Sequence, residues 1–456
     1  MSRRDRMPVA DVAWLHMDRP TNLMVNNVIF WFDAPVDWDR FKEVCRERLV
    51  GRFPGFRRRV AESRVPWRPV GWEDDPRFDL ERHFHHLALP APGDHAALME
   101  LVGDLMATPL DHDKALWDMY LVEGYGRGCA IVSRTHHCIA DGIALSRVLL
   151  SLADDAPPGP LAPAALAERQ RASTVDLRAR ITAVATGLRH AAVAMVREAF
   201  SLTKSLLPGS AGYTALKGEL GVAQRVAASR PLSLADVSRI GHATGTTVND
   251  VVLSALNGAL RSYLLAHGSP VAEFGARVPF NLRSLDEPLP RDLGNDFGPV
   301  PLTLPVGLHD PQKRLAEVHR RMAELKDSPA ADRAYGLLRV IGTVAPAIAR
   351  VVTDIGTARA TAMITNVPGT QHPVSFAGTV VRGMLVWAPR PGSMSMSATI
   401  FSYNGEIVVG LASDAGLIPD PERILAGVED ELAELQRLTS RSNPTERRLA
   451  AETAEA

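Results

Sequence analysis

The sequence predicts an α+β protein of two domains. Segments typical of strands alternate with segments typical of helices in both halves of the chain. Four prolines within residues 156–163 separate the halves, because such a segment cannot continue a helix or a central strand. The length of 456 residues also exceeds what one core usually supports. We therefore predict a first domain over residues 1–153, a connecting region over 154–225, a second domain over 226–439 and a disordered tail over 440–456.

The first half begins with the pattern of a strand at residues 27–33, followed by a helix that Asp37 can cap. A second helix is predicted over residues 95–107. Apolar runs at 119–124 and 129–135 flank a glycine-containing turn and predict a hairpin. The last strand of this unit would lead directly into the most distinctive motif of the chain.

The connecting region contains a long helical pattern over residues 175–207, rich in alanine, leucine and valine. Charged residues such as Arg189 and Glu198 make this segment too polar to span a bilayer. It suits a crossover helix with one apolar side. We expect that side to pack on the protein; the alternative is that residues 176–206 rest on a lipid surface.

The second half also alternates helices and strands. A helix begins near Pro231, and Thr246 or Thr247 can cap the next helix, whose first turn contains Asn249 and Asp250. The simplest role of Asp250 is to cap this helix and complement its dipole. The remaining predicted elements are a strand at 276–283, a helix at 311–326, a strand at 402–410 and a final helix at 421–438.

The distinctive motif is the seven-residue sequence His-His-Cys-Ile-Ala-Asp-Gly at 136–142, which joins a predicted strand to a predicted helix over 143–152. A histidine held at such a junction can act as a general base, because its ordinary pKa lies close to neutral pH. Asp141 lies beyond the bend and could fix the loop through an ion pair with an arginine. The pair Asp141-Gly142 is a turn signal, since glycine can adopt positive φ.

Other roles for the residues of this motif are a structural role, a metal site and a cysteine nucleophile. A second histidine pair, His85-His86, lacks the following Asp-Gly, and we interpret it as structural. A metal site at His136 and His137 is disfavoured, because adjacent residues at a strand end point to opposite sides. No H-E-x-x-H or C-x-x-C motif accompanies the pair. Cys138 is better explained as a small buried apolar group than as a nucleophile.

Composition excludes several classes of protein. A formal net charge of -1 gives no global basic field, so nucleic acid is not a predicted partner. The three cysteines are widely spaced and give no disulfide framework, which fits a reducing compartment. The sequence has no apolar run long enough for a transmembrane helix and no recognisable signal peptide. We therefore predict a cytoplasmic protein.

The pattern His-His-x-x-x-Asp-Gly resembles the signature of CoA- and carrier-dependent acyltransferases related to chloramphenicol acetyltransferase and to peptide-synthetase condensation domains. Further segments, in the same order and nearly end to end, resemble the bacterial wax ester synthase/diacylglycerol acyltransferase family. These segments are Pro109-Leu-Asp with Leu116-Trp117, Val248-Asn-Asp250, Val278-Pro-Phe-Asn-Leu-Arg283, Leu293-Gly-Asn295 and Thr365-Asn-Val-Pro-Gly369. One departure is Ala115, where the family usually has proline before Leu-Trp.

The resemblance implies two chloramphenicol acetyltransferase-like domains, each a mixed sheet flanked by helices, with a tunnel between them. It implies that His137 is the base and that Asp141 is structural, paired with either Arg283 or Arg277. The predicted catalytic motif residues are His136, His137, Asp141 and Gly142. The predicted substrate-binding residues are Pro109, Leu116, Trp117, Asn249 and Asp250.

The implied reaction moves a long-chain acyl group from acyl-CoA, a co-substrate, to the hydroxyl of a lipid such as diacylglycerol or a fatty alcohol. It uses no covalent acyl-enzyme, no metal and no further cofactor. A carrier-protein-dependent condensation enzyme and a non-catalytic lipid-surface binder are the alternatives. Beyond acyl-CoA and the lipid acceptor, no obligate protein partner is predicted. Peripheral contact with a membrane or lipid droplet is compatible with the apolar side of residues 176–206.

Overall fold

The structure is a computed structural model that describes residues 4–61, 70–155, 159, 161, 214–284 and 287–442. The α-helices within these ranges are Val9–Met17 (α1), Trp38–Cys45 (α2), His95–Ala107 (α3), Gly142–Leu150 (α4), Leu234–Thr244 (α5), Val248–Ala266 (α6), Pro311–Lys326 (α7), Ala330–Ile341 (α8), Pro346–Thr357 (α9) and Pro421–Ser442 (α10). The long pattern predicted over 175–207 lies outside the described residues, as does most of the proline-rich segment.

The first described strand precedes α1, and the last one precedes α10. They are Arg4–Arg6 (β1), Val25–Phe32 (β2), Arg58–Ala61 (β3), Gly71–Asp74 (β4), Phe84–Ala88 (β5), Trp117–Tyr125 (β6), Gly128–His136 (β7), Gln224–Ala228 (β8), Leu232–Ser233 (β9), Phe274–Asn281 (β10), Phe297–Leu304 (β11), Ala362–Pro368 (β12), Ser375–Phe376 (β13), Thr379–Trp387 (β14), Met396–Tyr403 (β15) and Glu406–Asp414 (β16).

Two large mixed sheets organise the described chain. The first has the order β13-β14-β2-β7-β6-β5, and the second has the order β11-β10-β12-β15-β16-β8, with β9 also paired to β16. Parallel pairs occur at β5–β6, β10–β12 and β12–β15, whereas the other neighbours are antiparallel. A small sheet of β1, β4 and β3 lies beside them. The predicted α+β architecture with mixed sheets is therefore confirmed.

The second sheet is built on two long helices of the second half. Helix α6 packs against α10, and both contribute to one apolar core with the strands beneath them. Leu256 of α6 and Val428 of α10 are fully buried in that core. The apolar side of α6 therefore holds this half of the chain together.

Strand β14 belongs to the first sheet although it comes late in the chain. Residues 383–387 pair with β2, so that Leu385 lies opposite Ile29. This strand covers the edge of β2, which would otherwise expose unpaired backbone groups next to a buried core. Both Leu385 and Ile29 are fully buried. A simple division of the chain near residues 153 and 226 therefore does not describe how the first sheet is assembled.

Two predicted element boundaries are wrong. Residues 402–410 were expected to form one strand, but they contain a hairpin between β15 and β16, with Asn404 and Gly405 at φ of 49° and 77°. Asn-Gly is the strongest short-range hairpin signal, and it outweighs the apolar run around it. The final helix continues to Ser442, three residues into the segment predicted as a tail, and the hydroxyl of Thr439 bonds the Leu435 carbonyl within it.

Candidate active site

The predicted strand-to-helix junction is confirmed: β7 ends at His136 and α4 begins at Gly142. Asp141 is the N-cap of α4, and its Oδ1 accepts the backbone N–H of Ala144 at 2.8 Å. Gly142 does not adopt the positive φ that is open to glycine, because it is already the first residue of the helix. A Cβ at Gly142 would meet no atom within 4 Å, so the missing side chain leaves the adjacent space open.

Backbone and side-chain bonds join this loop to the second half of the chain. The Asp141 N–H donates to the Gly294 carbonyl at 3.2 Å, and the Gly294 N–H donates to the Ile139 carbonyl at 3.1 Å. The Asp141 Oδ2 accepts the backbone N–H of Asp296 at 3.2 Å. The same oxygen lies 3.6 Å from Nη2 of Arg283, and both side chains are buried. Asp141 is therefore a structural link between the two halves.

Of the two arginines that could pair with Asp141, the structure selects Arg283. Arg277 lies inside β10, where its Nη1 donates to the Pro299 carbonyl at 3.0 Å and its Nη2 donates to the Gly356 carbonyl. The candidate pairing of Arg277 with Asp141 is thus wrong, because its position in the strand directs the guanidinium towards α9. Arg283 follows the end of β10 and can turn towards the loop.

The ring of His137 is held on three sides. Only 4% of the residue is exposed, and its imidazole stacks on Trp14 with a centroid distance of 4.0 Å and an interplanar angle of 17°. Its Nδ1 lies 2.7 Å from Oδ1 of Asn295. Phe297 closes a further side at 5.5 Å between ring centroids. The ring can therefore rotate little without moving its neighbours.

The amide of Asn295 fixes the position of the imidazole proton. Its Nδ2 donates to Oδ1 of Asp11 at 2.8 Å and to the backbone carbonyl of His137 at 2.7 Å, and both of these oxygens are acceptors. The amide oxygen must therefore face the ring, so Nδ1 of His137 carries the proton that is donated to it. The opposite ring nitrogen, Nε2, is left with its lone pair.

The pKa of His137 also indicates that one ring nitrogen keeps its lone pair. Burial lowers the pKa of His137 to about 4, while Asp141 and the hydrogen bond to Asn295 oppose the shift. The ring is consequently neutral at pH 7, with an unprotonated nitrogen available as a base.

His137 lines a cavity between the two halves, where a tunnel was predicted. This central cavity has a volume of about 640 Å³, including the solvent at its mouth. Its walls are largely apolar, with few polar groups, as is usual for sites that bind apolar substrates. The lining residues are Trp14, Asn26, His137, Asp141, Gly142, Ile143, Pro279, Asn281, Phe297, Met363, Thr365, Asn366, Val367, Val386, Ala388 and Pro389.

A second cavity, here called the apolar cavity, shares Trp14 and Met363 with the central cavity and has a volume of about 470 Å³. Helices α8 and α9, which were not predicted from the sequence, form much of its wall. Buried aliphatic side chains supply that surface: Leu337, Leu338, Ile341 and Val352. Such a space can hold an alkyl chain but offers little to a polar ligand.

His136 does not share the environment of His137. It is buried, but it does not line the central cavity. Its Nδ1 accepts the backbone N–H of Cys138 at 3.1 Å, and its Nε2 lies 3.7 Å from Oδ2 of Asp18. The prediction that His136 is catalytic therefore finds no support in the geometry, because consecutive residues at the strand end point to opposite sides.

Three predicted substrate-binding residues, Pro109, Leu116 and Trp117, line neither cavity. Trp117 is fully buried, and its indole N–H donates to the Phe56 carbonyl at 2.8 Å. Leu116 is also fully buried, and its carbonyl accepts the His136 N–H at 2.9 Å. Pro109 is exposed, and contact of these three residues with a substrate stays a prediction. Leu116 and Trp117 pack into the core at the start of the inner strand β6. They support the loop from behind.

The two predicted substrate-binding residues in the first turn of α6, Asn249 and Asp250, have different environments. Asp250 forms a capping box with Thr247, and its Oδ2 lies 2.8 Å from Nδ1 of His319, so its capping role is confirmed. Its contact with a substrate stays a prediction. Asn249 accepts a hydrogen bond from Nδ2 of Asn366 at 3.0 Å. Asn366 lines the central cavity, so Asn249 lies next to a lining residue, and its own contact with a substrate stays a prediction.

Cys138 is buried, and burial raises the pKa of its thiol well above the ordinary value. A thiolate nucleophile is therefore unfavourable at this position. Within the part of the chain that the structure describes, no group of three or more histidine, cysteine, aspartate and glutamate side chains is placed to hold a metal ion. In the same residues, no helix has the length and apolar character needed to cross a membrane.

Three residues of the site were missed in the sequence: Asp11, Trp14 and the functional role of Asn295. Asp11 and Trp14 are three apart on α1, so they share one face of that helix. A buried acid within the apolar segment 9–17 was the available signal. Asn295 lies within the Leu-Gly-Asn landmark, but nothing local to it indicates contact with a histidine 158 positions away.

The fold is similar to that of the wax ester synthase/diacylglycerol acyltransferase from Marinobacter aquaeolei VT8, with a TM-score of 0.69 and 22% identity over 95% of this chain and 100% of that chain. It is also similar to the first condensation domain of the calcium-dependent antibiotic synthetase, with a TM-score of 0.60 and 16% identity over 95% of this chain and 97% of that chain. The architecture therefore defines one class of fold, the two-domain α+β fold that this chain shares with both proteins.

Sequence comparison identifies the family within that class. The wax ester synthase/diacylglycerol acyltransferase catalytic domain matches residues 7–252, and the WS/DGAT C-terminal domain matches residues 293–436. Two relatives from Mycobacterium tuberculosis carry the name of a diacylglycerol O-acyltransferase. One is 31% identical over 86% of this chain and 89% of its own length, and the other is 28% identical over 94% and 90%. The chain belongs to the wax ester synthase/diacylglycerol acyltransferase family, which confirms the predicted family and makes the protein an acyltransferase.

Proposed function

We propose that this protein transfers a long-chain acyl group from acyl-CoA to the hydroxyl of a lipid, with Nε2 of His137 as the general base. The observation that carries the proposal is the neutral imidazole whose Nδ1 is committed to Asn295 and whose ring lines the central cavity. A base in this state can accept the hydroxyl proton while the oxygen attacks the thioester. The names of the M. tuberculosis relatives support a diacylglycerol acceptor, and the family name adds fatty alcohols.

The reaction balances without a covalent acyl-enzyme. The acceptor oxygen forms a bond to the thioester carbon, and its proton passes to Nε2 of His137. The carbon–sulfur bond then breaks, and the proton moves from His137 to the departing CoA sulfur. Stacking on Trp14 at 4.0 Å favours the transient imidazolium, because an aromatic face attracts a cation. His137 is thereby returned to its neutral state.

The oxyanion of the tetrahedral intermediate requires hydrogen-bond donors. Gly142 and Ile143 line the central cavity in the first turn of α4. Backbone N–H groups in a first turn have no acceptor within their own helix, and the helix dipole favours negative charge there. We assign these N–H groups as the donors.

The apolar cavity supplies the chain-binding half of the site. One alkyl chain would pass Trp14 and Met363 from the reacting carbon into the space between α8 and α9. Binding of a chain there contributes about 0.8 kcal/mol for each buried methylene. The polar part of the substrate stays in the central cavity, beside His137.

Free-thiol release from palmitoyl-CoA tests the proposed reaction. The purified protein is given a diacylglycerol, a long-chain alcohol or no acceptor, and the lipid product is identified by mass. We expect thiol release that depends on one of the acceptors, with a matching amount of ester. Hydrolysis that is independent of acceptor, or transfer only from an acylated carrier protein, would contradict the proposal. Absence of any release would favour a non-catalytic lipid-binding protein.

The substitution Ala334→Leu tests the apolar cavity, because Ala334 lines it and is buried. The added side chain takes the place of about two or three methylenes, so we expect kcat/KM for the longest chains to fall by at least about tenfold relative to octanoyl-length chains. Two series, one of acyl-CoA donors and one of alcohols, show which chain occupies the cavity.

The exposed Ala347→Leu on α9 is the matched control. Equal loss for short and long chains in both series would show that neither chain enters the apolar cavity. Thermal unfolding of both variants separates this effect from overpacking, which typically costs about 1–3 kcal/mol.

A further inference from the structure

We infer that Asp11 is a positioning residue for acyl transfer: acting through Asn295, it holds His137 in the tautomer that leaves Nε2 free. This inference rests on the proposed function, in which Nε2 is the base. Asp11 has no contact with the central cavity, so its action is indirect.

Asp11 is joined to Asn295 by a pair of hydrogen bonds. Its Oδ1 accepts the backbone N–H of Asn295 at 2.9 Å and the side-chain Nδ2 at 2.8 Å. Only 1% of Asp11 is exposed. A single carboxylate oxygen thus fixes both the backbone and the amide plane of the residue that contacts His137.

The orientation of the Asn295 amide decides which nitrogen of His137 is protonated. With Asp11 present, Nδ2 has acceptors on both of its N–H groups, namely Asp11 and the His137 carbonyl. Without Asp11, one of those N–H groups is buried with no acceptor, which costs about 1–3 kcal/mol. The side-chain amide would then be held against rotation by one bond, to the His137 carbonyl, instead of two. In the rotated form it presents N–H to the ring, and the imidazole proton moves to Nε2. That tautomer cannot accept a proton from the acceptor hydroxyl.

Helix α1 supplies both restraints on the ring. Trp14 lies three residues after Asp11 on the same helix and stacks on His137 at 4.0 Å. One helix therefore determines the plane of the imidazole through Trp14 and the location of its proton through Asp11. This arrangement explains why a carboxylate is buried in an otherwise apolar helix, a placement that is unfavourable unless the group is hydrogen-bonded.

Other charged groups surround Asp11 without replacing it. Asp141 and Arg283 interact electrostatically with Asp11 from the loop side, and Tyr335 of α8 does so as well. Arg58, Arg291 and Asp292 line a small cavity on its outer side. Burial raises the pKa of Asp11 to about 7. Because Oδ1 already accepts two N–H groups, a proton would go to Oδ2, and the acceptor that Asn295 needs is kept in both forms.

The test compares Asp11→Ala, Asp11→Leu and Asp11→Asn with the wild-type protein. The control is Asp75→Ala, which removes another buried aspartate whose carboxylate caps a turn away from the site. Steady-state rates are measured with palmitoyl-CoA and the preferred acceptor. For Asp11→Ala we expect kcat to fall by about 10²-fold, as for a misplaced catalytic group, with KM for palmitoyl-CoA changed by less than about threefold. Asp11→Asn can keep an acceptor oxygen and should recover most of the loss.

A second readout does not depend on activity. Nitrogen-15 NMR of histidine-labelled protein distinguishes the two imidazole tautomers, and His137 is identified by the signals missing from His137→Ala. We expect a protonated Nδ1 in the wild type and in Asp11→Asn, and a substantial population with protonated Nε2 in Asp11→Ala and Asp11→Leu.

The outcomes separate the inference from the function on which it rests. An unchanged tautomer in a folded Asp11→Ala or Asp11→Leu variant would overturn the positioning role, even with reduced kcat. Unfolding of both variants would overturn it in favour of a purely structural role. A tautomer shift in a protein that shows no acyl transfer would instead leave the positioning of His137 standing and overturn the proposed function.

Discussion

His137→Ala is expected to lower kcat for acyl transfer by about 10²–10⁴-fold, the usual effect of losing a general base. The variant keeps the central cavity, so KM for palmitoyl-CoA should change much less than kcat. His86→Ala is the matched control, because His86 belongs to the other histidine pair and lies at the surface, with its Nε2 3.0 Å from Oε1 of Glu123. A folded His137→Ala protein with wild-type kcat would refute the assignment of the base.

The pH profile gives an independent test of the same residue. Since burial lowers the pKa of His137 to about 4, the ring is neutral throughout the physiological range. We expect kcat/KM to fall only as the pH drops towards 4, where protonation removes the base, and to be level between about pH 6 and 8. An acidic limb centred near the ordinary histidine pKa would show that the ring is more exposed than the structure indicates.

Asp141→Ala is expected to give the largest loss of stability, about 3–5 kcal/mol in the free energy of unfolding measured with urea. The substitution leaves the buried Arg283 without its carboxylate at 3.6 Å and removes the acceptor for the Asp296 N–H. It also removes the cap of α4. Because these bonds connect the His137 loop to residues 283–296, activity should be lost as the loop moves.

The control separates capping from the link between the halves. Asp94 caps α3 through the Ala97 N–H at 2.9 Å, which reproduces the cap that Asp141 forms with Ala144. Asp94 is exposed, and among the described residues no arginine forms an ion pair with it, so Asp94→Ala should cost only about 1 kcal/mol. Equal losses for the two variants would mean that Asp141 contributes nothing beyond its cap.

Features determined by neighbouring residues were predicted well from the sequence. The junction at His136–Gly142, the cap at Thr247 and the helix Pro311–Lys326 each depend on signals within a few positions of one another. Errors arose where two local signals competed. At Asn404-Gly405 the turn signal prevailed over the apolar run, and at Gly142 the helix N-terminus prevailed over the turn.

Two of the predicted substrate-binding residues could not be placed from the sequence for a different reason. Apolar residues at Leu116 and Trp117 fit a lipid site and a protein core equally well, and only the position of β6 between β5 and β7 assigns them to the core. The choice between Arg283 and Arg277 as the partner of Asp141 also required the tertiary structure. Two basic side chains six positions apart can be distinguished only when the end of β10 at Asn281 is known, because Arg277 then lies inside the strand and Arg283 beyond it.

The sequence by itself determined the α+β class, the family and the histidine at the centre of the site, because motif spacing and hydrophobic periodicity are local properties of the chain. The tertiary structure decided which groups surround that histidine. Trp14 of the first helix and Asn295 of the second half meet at its ring, and β14 completes the first sheet from the far end of the chain. Those contacts depend on how distant segments pack, and no pattern within a single segment encodes them.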